Sequence, residues 1–168
     1  MKIEEKADKL IITDFSDLEA YKIAVTIEKN GIFFYEKLAA QQIGEKDKET
    51  ILFLLGEERK HLKFFETLLN KVRSEKESNE DEDLLESFDY GIFWPYENME
   101  DVPGIVQDKA KALKLAALVE NKSVEFYSKC RENVSAQETK RELEKIIEEE
   151  KKHKALFAAM LEKYKNGN

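Results

Sequence analysis

EERKHLKFF at 57–65 and EEKKHKALF at 149–157 are one short pattern written twice, 92 residues apart. In each, a glutamate (Glu58 or Glu150) stands three residues before a histidine (His61 or His153). Three residues is close to one helical turn, so on a helix each pair projects from one face toward a shared point.

Working outward, a further glutamate lies 30 residues before each pair, Glu28 before Glu58 and Glu120 before Glu150. The flanks repeat too: IEKNGIFFYEK (27–37) aligns with VENKSVEFYSK (119–129), which puts Tyr35 and Tyr127 two helical turns beyond those glutamates. The halves therefore read as two versions of one unit. Two chance Glu-x-x-His pairs, each with a glutamate 30 residues upstream, would arise about once in a thousand such chains if positions were independent.

The segments around these residues read as helices. The first is expected over about 17–42, opened by a capping box of Ser16 and Glu19 and stopped by Gly44, and the second over about 48–74. Their short connection makes them antiparallel neighbours. The third is expected over about 104–133 and the fourth over about 136–164, with Ser135 and Glu138 repeating the capping box. Between them, over about 75–103, an acidic run and then FDYGIFWPYENMEDVP (88–103) read as a long crossover. Its aromatics are expected to cover the bundle or an oligomer contact, a homodimer being the expected assembly. The fold class is all-α: one domain, a four-helix bundle of two hairpins joined by a crossover.

Three- and four-residue steps trace a core seam along each helix, and the seams contain charge. The first runs Leu18, Tyr21, Val25, Glu28, Ile32, Tyr35; the second includes Leu54, Glu58, His61 and Phe65. The third carries Glu120 between Ala117 and Val124, and the fourth carries Glu150 and His153 between Ile146 and Phe157. Burying four ionised carboxylates together costs several kcal/mol each unless positive charge lies among them. Two divalent cations balance four carboxylates and leave two neutral imidazoles to complete the set. The metal ligands are thus Glu28, Glu58, His61, Glu120, Glu150 and His153. Glu57 and Glu149 fall one residue off the seam and read as helix surface or as groups behind the ligands.

Composition agrees. Across 168 residues there are only two prolines and six glycines, which suits long helices. The net charge of −8 and the absence of a basic stripe argue against nucleic acid as a partner. No apolar run suffices to span a bilayer, and the start MKIEEKADKL is too acidic for a secretory signal, so no membrane partner is expected. The lone Cys130 can form neither an internal disulfide nor a Cys-x-x-Cys knuckle, and the expected location is the reducing cytoplasm.

The Glu, Glu-x-x-His, Glu, Glu-x-x-His order, with the two tyrosines, resembles the ferritin-like superfamily of di-iron carboxylate proteins, and within it the rubrerythrin type. The resemblance implies two iron ions as cofactor, although manganese or zinc would suit the same ligands. It further implies Glu28 and Glu120 as terminal ligands, Glu58 and Glu150 as bridges, one histidine per metal, and Tyr35 and Tyr127 acting beside them. The activity implied is reduction of hydrogen peroxide or dioxygen, with electrons from a separate rubredoxin- or flavin-type donor protein. Two departures stand out: the typical family member has a further glutamate where this chain has Ser123, and a rubredoxin domain that is lacking here. The six-ligand set is also similar to that of bacterioferritin, which implies iron oxidation and storage or buffering instead. A third reading makes the polar seam a face for another chain.

Overall fold

The computed structural model describes residues 2–6, 9–13, 15–41, 44–76 and 101–167. The chain opens with two strands that the helical reading did not anticipate, β1 (Lys2–Lys6) and β2 (Lys9–Thr13). They pair antiparallel from Lys2 opposite Thr13 to Lys6 opposite Lys9, and β2 rests against the second half of the molecule.

Helix α1 (Asp17–Ala39) starts as expected at Ser16, whose extended backbone places its hydroxyl to accept the Glu19 N–H at 3.5 Å. It ends at Ala39, three residues short of Gln42, where the Ala40 N–H closes onto Glu36 and Leu38 carbonyls. Helix α2 (Glu45–Lys76) begins before and ends after the stretch expected for it. The expected crossover falls mostly on residues 77–100, outside the described residues.

The third expected helix is divided. A four-residue turn, α3 (Val102–Ile105), is separated from α4 (Lys109–Asn133) by a break at 106–108. The cause is Asp108, which takes an extended backbone and caps the Lys111 N–H at 3.1 Å, while Val102 and Val106 tuck into the core. Helix α5 (Gln137–Lys165) starts one residue later than expected. Its N-cap is Ala136 with no side-chain cap, so Ser135, exposed outside the helix, forms no capping box.

Helices α1 and α2 pair closely along their length, as do α4 and α5; between halves, α1 meets α4 and α2 meets α5 over much shorter stretches. The backbones of the two hairpins thus stand apart where the charged seams face one another. Around that gap the core is lined with apolar rings: Phe34, Phe65, Phe126 and Phe157 are fully buried, each contributing about 1.5–3 kcal/mol by leaving water. Asp47, in the first turn of α2, adds a polar tie to the other half. Its carboxylate accepts from Lys109 at 2.9 Å and Lys163 at 3.3 Å, and the Lys109 ammonium also lies over the Tyr164 ring. Among the described residues, no helix is long and apolar enough to cross a membrane.

Candidate metal centre

All six predicted ligands are buried, none more than 4 % exposed, and they converge from α1, α2, α4 and α5. Their donor atoms form two groups. Glu28, Glu58, His61 and Glu150 offer atoms within 4.8 Å of one another, and so do Glu58, Glu120, Glu150 and His153. Glu58 and Glu150 belong to both, so each hairpin supplies three donors to its own group and lends one carboxylate to the other.

The interior of the cluster is short of hydrogen-bond donors. His61 Nδ1 lies 3.2 Å from Glu150 Oε1 and 3.7 Å from Glu58 Oε2; His153 Nδ1 lies 3.0 Å from oxygens of both Glu58 and Glu150. None of these contacts has hydrogen-bond geometry: Glu58 Oε1, Glu150 Oε2 and both Nδ1 atoms are buried without a partner. Such orphaned acceptors, aimed at shared points, are what a cation needs and what a protein interior otherwise avoids. The donor set of carboxylates and imidazoles suits iron, manganese and zinc, so the residues fit a pair of such ions.

Without cations the cluster is neutral only by holding protons. Burial, then the charges of Glu58 and Glu150, push Glu28 well above the usual carboxylate range, and burial with the same two neighbours does so for Glu120. Burial works to lower the imidazoles, yet Glu150 and Glu58 beside them push His61 up to about 12 and His153 up to about 10. Burial would raise Glu58 and Glu150, but the two imidazoles hold both below the ordinary value. Two carboxylates, two imidazolium ions and two carboxylic acids carry no net charge, as would two divalent ions with four carboxylates.

Behind the ligands the two halves trade hydrogen bonds. His61 Nε2 meets Glu149 Oε2 at 2.8 Å, and His153 Nε2 meets Glu57 Oε2 at 3.2 Å. A carboxylate on Nε2 fixes a proton there, so that once the imidazolium gives up its other proton to make way for a cation, the Nδ1 lone pair faces the cluster. The off-seam glutamates therefore act on the histidine of the opposite hairpin. The sequence signal was present in the paired EE that opens both repeats, but the partner across the bundle is not visible along one helix.

The tyrosines make a second exchange: the Tyr35 hydroxyl donates to Glu120 Oε1, and the Tyr127 hydroxyl to Glu28 Oε1. Burial, then the neighbouring glutamates, raises both phenols well above their usual range, so they stay protonated as donors. Each ring packs on a phenylalanine one turn past a histidine, Tyr35 on Phe157 at 5.2 Å and Tyr127 on Phe65 at 4.9 Å between centroids. Ser123 is buried on α4, one turn from Glu120, and Cys130 is buried away from the ligand groups, where burial raises its thiol pKa.

The rubrerythrin family model matches residues 19–161, which spans all four long helices. Among solved structures, a hypothetical protein from Pyrococcus furiosus shares the ferritin-like fold with a TM-score of 0.69 and 26 % identity, over 92 % of this chain and 94 % of that one. No curated protein matches the chain.

Proposed function

The chain belongs to the rubrerythrin family, a ferritin-like family of di-iron carboxylate proteins, and from that premise we propose an oxidoreductase that reduces hydrogen peroxide at two irons held by Glu28, Glu58, His61, Glu120, Glu150 and His153. The observation that carries this reading is the pair of four-donor groups sharing Glu58 and Glu150. In this reading Glu58 and Glu150 would serve both ions, Glu28 and His61 would complete one ligand set, and Glu120 and His153 the other. When bound, the irons supply two electrons, one each, which with two protons convert hydrogen peroxide to two waters.

The chain's own residues set the conditions for that chemistry. Tyr35 and Tyr127 hold a proton on each phenol and fix Glu120 and Glu28 in place. Glu149 and Glu57 hold His61 and His153 with Nδ1 inward. Phe65 and Phe157 close the core over the tyrosines and exclude water, which strengthens each electrostatic contact inside. A separate protein is the proposed source of electrons, and a homodimer is the proposed assembly.

The test is anaerobic loading with ferrous iron, then oxidation by peroxide and, separately, by dioxygen, followed in the optical spectrum. Faster reaction with peroxide is expected; equal rates would remove the peroxidase assignment. A ferroxidase or storage role is the second reading, favoured by the six-ligand set with Ser123 in place of a further carboxylate. A hollow multi-subunit shell loading many irons per chain, seen by size exclusion and iron analysis, would select it.

A further inference from the structure

Helix α2 carries an outward stripe opposite its ligand face. Steps of three and four residues run Glu45, Glu49, Leu52, Gly56, Lys60 and Lys63 down one side, while Glu58 and His61 are buried on the other. All of the stripe but Gly56 is exposed, and Phe53 stands beside Leu52. Leu52 is 48 % exposed and Phe53 60 %, so two large apolar side chains meet water in the middle of a charged surface.

The other hairpin shows the same place when it faces solvent alone. With the offset of 92, Leu52, Phe53 and Gly56 correspond to Glu144, Lys145 and Glu148 on α5. Each of those is in an ion pair, Glu144 with Arg131 at 2.9 Å, Lys145 with Glu142 at 2.6 Å and Glu148 with Lys151 at 2.6 Å. On α2 the counterparts are two apolar residues and a glycine, a poor helix former. A Cβ added to Gly56 would meet no atom within 4 Å, so nothing inside the chain requires glycine there. What glycine permits is the close approach of another backbone.

The charges select that backbone. Along the stripe both acids precede the apolar middle and both lysines follow it, and none of the four is in an ion pair among the described residues. Lys46 and Lys48 lie off the stripe, to either side of it. A second α2 running antiparallel, with Gly56 on the two-fold axis, brings Glu49 of one copy opposite Lys63 of the other, since each stands seven residues from Gly56. Leu52 and Lys60, each four residues from Gly56, meet in the same way, the leucine against the methylene stem of the lysine. A parallel pairing would set like charges against like.

We propose that this face of α2 is where a second copy of the chain docks, antiparallel about Gly56, with Leu52 and Phe53 at the centre and a Glu49–Lys63 pair at each end. The proposal rests on the homodimer reading, to which it gives a surface and a direction, and is independent of which oxidant reacts.

Sedimentation velocity on the full chain over a dilution series measures the dimer, with circular dichroism as the check on folding. Leu52→Glu combined with Phe53→Lys, the residue types of the other hairpin, should weaken the dimer by about a hundredfold or more at unchanged helix content. Glu49→Lys alone and Lys63→Glu alone should each weaken it roughly tenfold, because symmetry turns both end pairs repulsive at once. An equimolar mixture of those two single variants should return close to the wild-type affinity, since every end pair is again opposite in charge. Unchanged affinity in the Leu52→Glu, Phe53→Lys variant overturns the surface and leaves the homodimer standing. No recovery in the mixture overturns the antiparallel arrangement. A monomeric wild-type chain, its face left to a different protein, overturns the surface and the homodimer together, while the preference for peroxide over dioxygen is decided separately.

Discussion

The two hairpins hold the same candidate ligands and the same immediate partners, and differ at particular positions around them. Glu28, Glu58 and His61 in the first correspond to Glu120, Glu150 and His153 in the second, and Tyr35 corresponds to Tyr127. Yet Gly31 stands where the second half has Ser123, and Asp47 where it has Thr139. The carboxylate behind His153, Glu57, has a side chain 19 % exposed, against 37 % for Glu149 behind His61. The lesson is that the donor geometry is set twice by one pattern, while shielding, packing and the ties between halves are set separately. The two groups able to hold a metal are equivalent in donors and unequal in surroundings.

The largest effect expected from breaking this comparison is at the shared carboxylates. Glu58→Ala or Glu150→Ala disrupts both groups and should reduce bound metal to less than about one ion per chain, whereas Glu28→Ala touches one group and should leave about one. Metal analysis after dialysis reads this, and equal losses in all three would deny the sharing. Next comes pH. Loading two divalent ions displaces protons from His61, His153, Glu28 and Glu120, about four in all, so affinity should climb steeply as pH rises. Calorimetry in buffers of different ionisation enthalpy counts these protons; a count near zero would contradict the proton-held state of the metal-free cluster.

Smaller effects probe the asymmetry. Glu57→Ala should weaken metal binding by about 10- to 100-fold, and Glu149→Ala by less, because water can take over at the more exposed position. Gln at either site, still an acceptor for Nε2–H, should recover most of the loss in a competition titration. The smallest concerns Asp47, a tie with no counterpart in the second hairpin. Asp47→Asn should cost about 1–2 kcal/mol in denaturant unfolding near neutral pH. Burial alone would raise the Asp47 pKa, but Lys109 and Lys163 hold it below the ordinary 3.8. A depressed carboxylate stabilises above its unfolded pKa, and that contribution fades as pH falls through the folded value. The gap between wild type and variant should therefore narrow in acid; a constant gap would assign the loss to packing.

The seam was legible because a buried carboxylate among Val25, Ile32 and Tyr35 violates the pattern around it, and a duplicated violation at the same register points to one cause. The existence of the four long helices followed from the same periodicity. The ends were less legible. Asp108 outweighs the apolar run from Gly104 by capping α4, and Ser135 loses its expected cap to a start one residue later. The strands β1 and β2 hold too little alternation to read alone and gain meaning only by pairing. Asp47 with Lys109 and Lys163, and Glu57 with His153, join residues far apart in the chain; nothing local marks such partners, since an exposed acid and a tethered one look alike in a list of letters.

Each half owns three donors and borrows one, and the borrowed residue is always the counterpart of one it already has. A single helical pair, facing a copy of itself across a two-fold axis, would thus present a complete set of donors. Fusion of two such pairs into one chain adds no new ligand chemistry; what it adds is freedom for the copies to diverge, so that one side of the centre can become the sheltered side and the other the side that meets water.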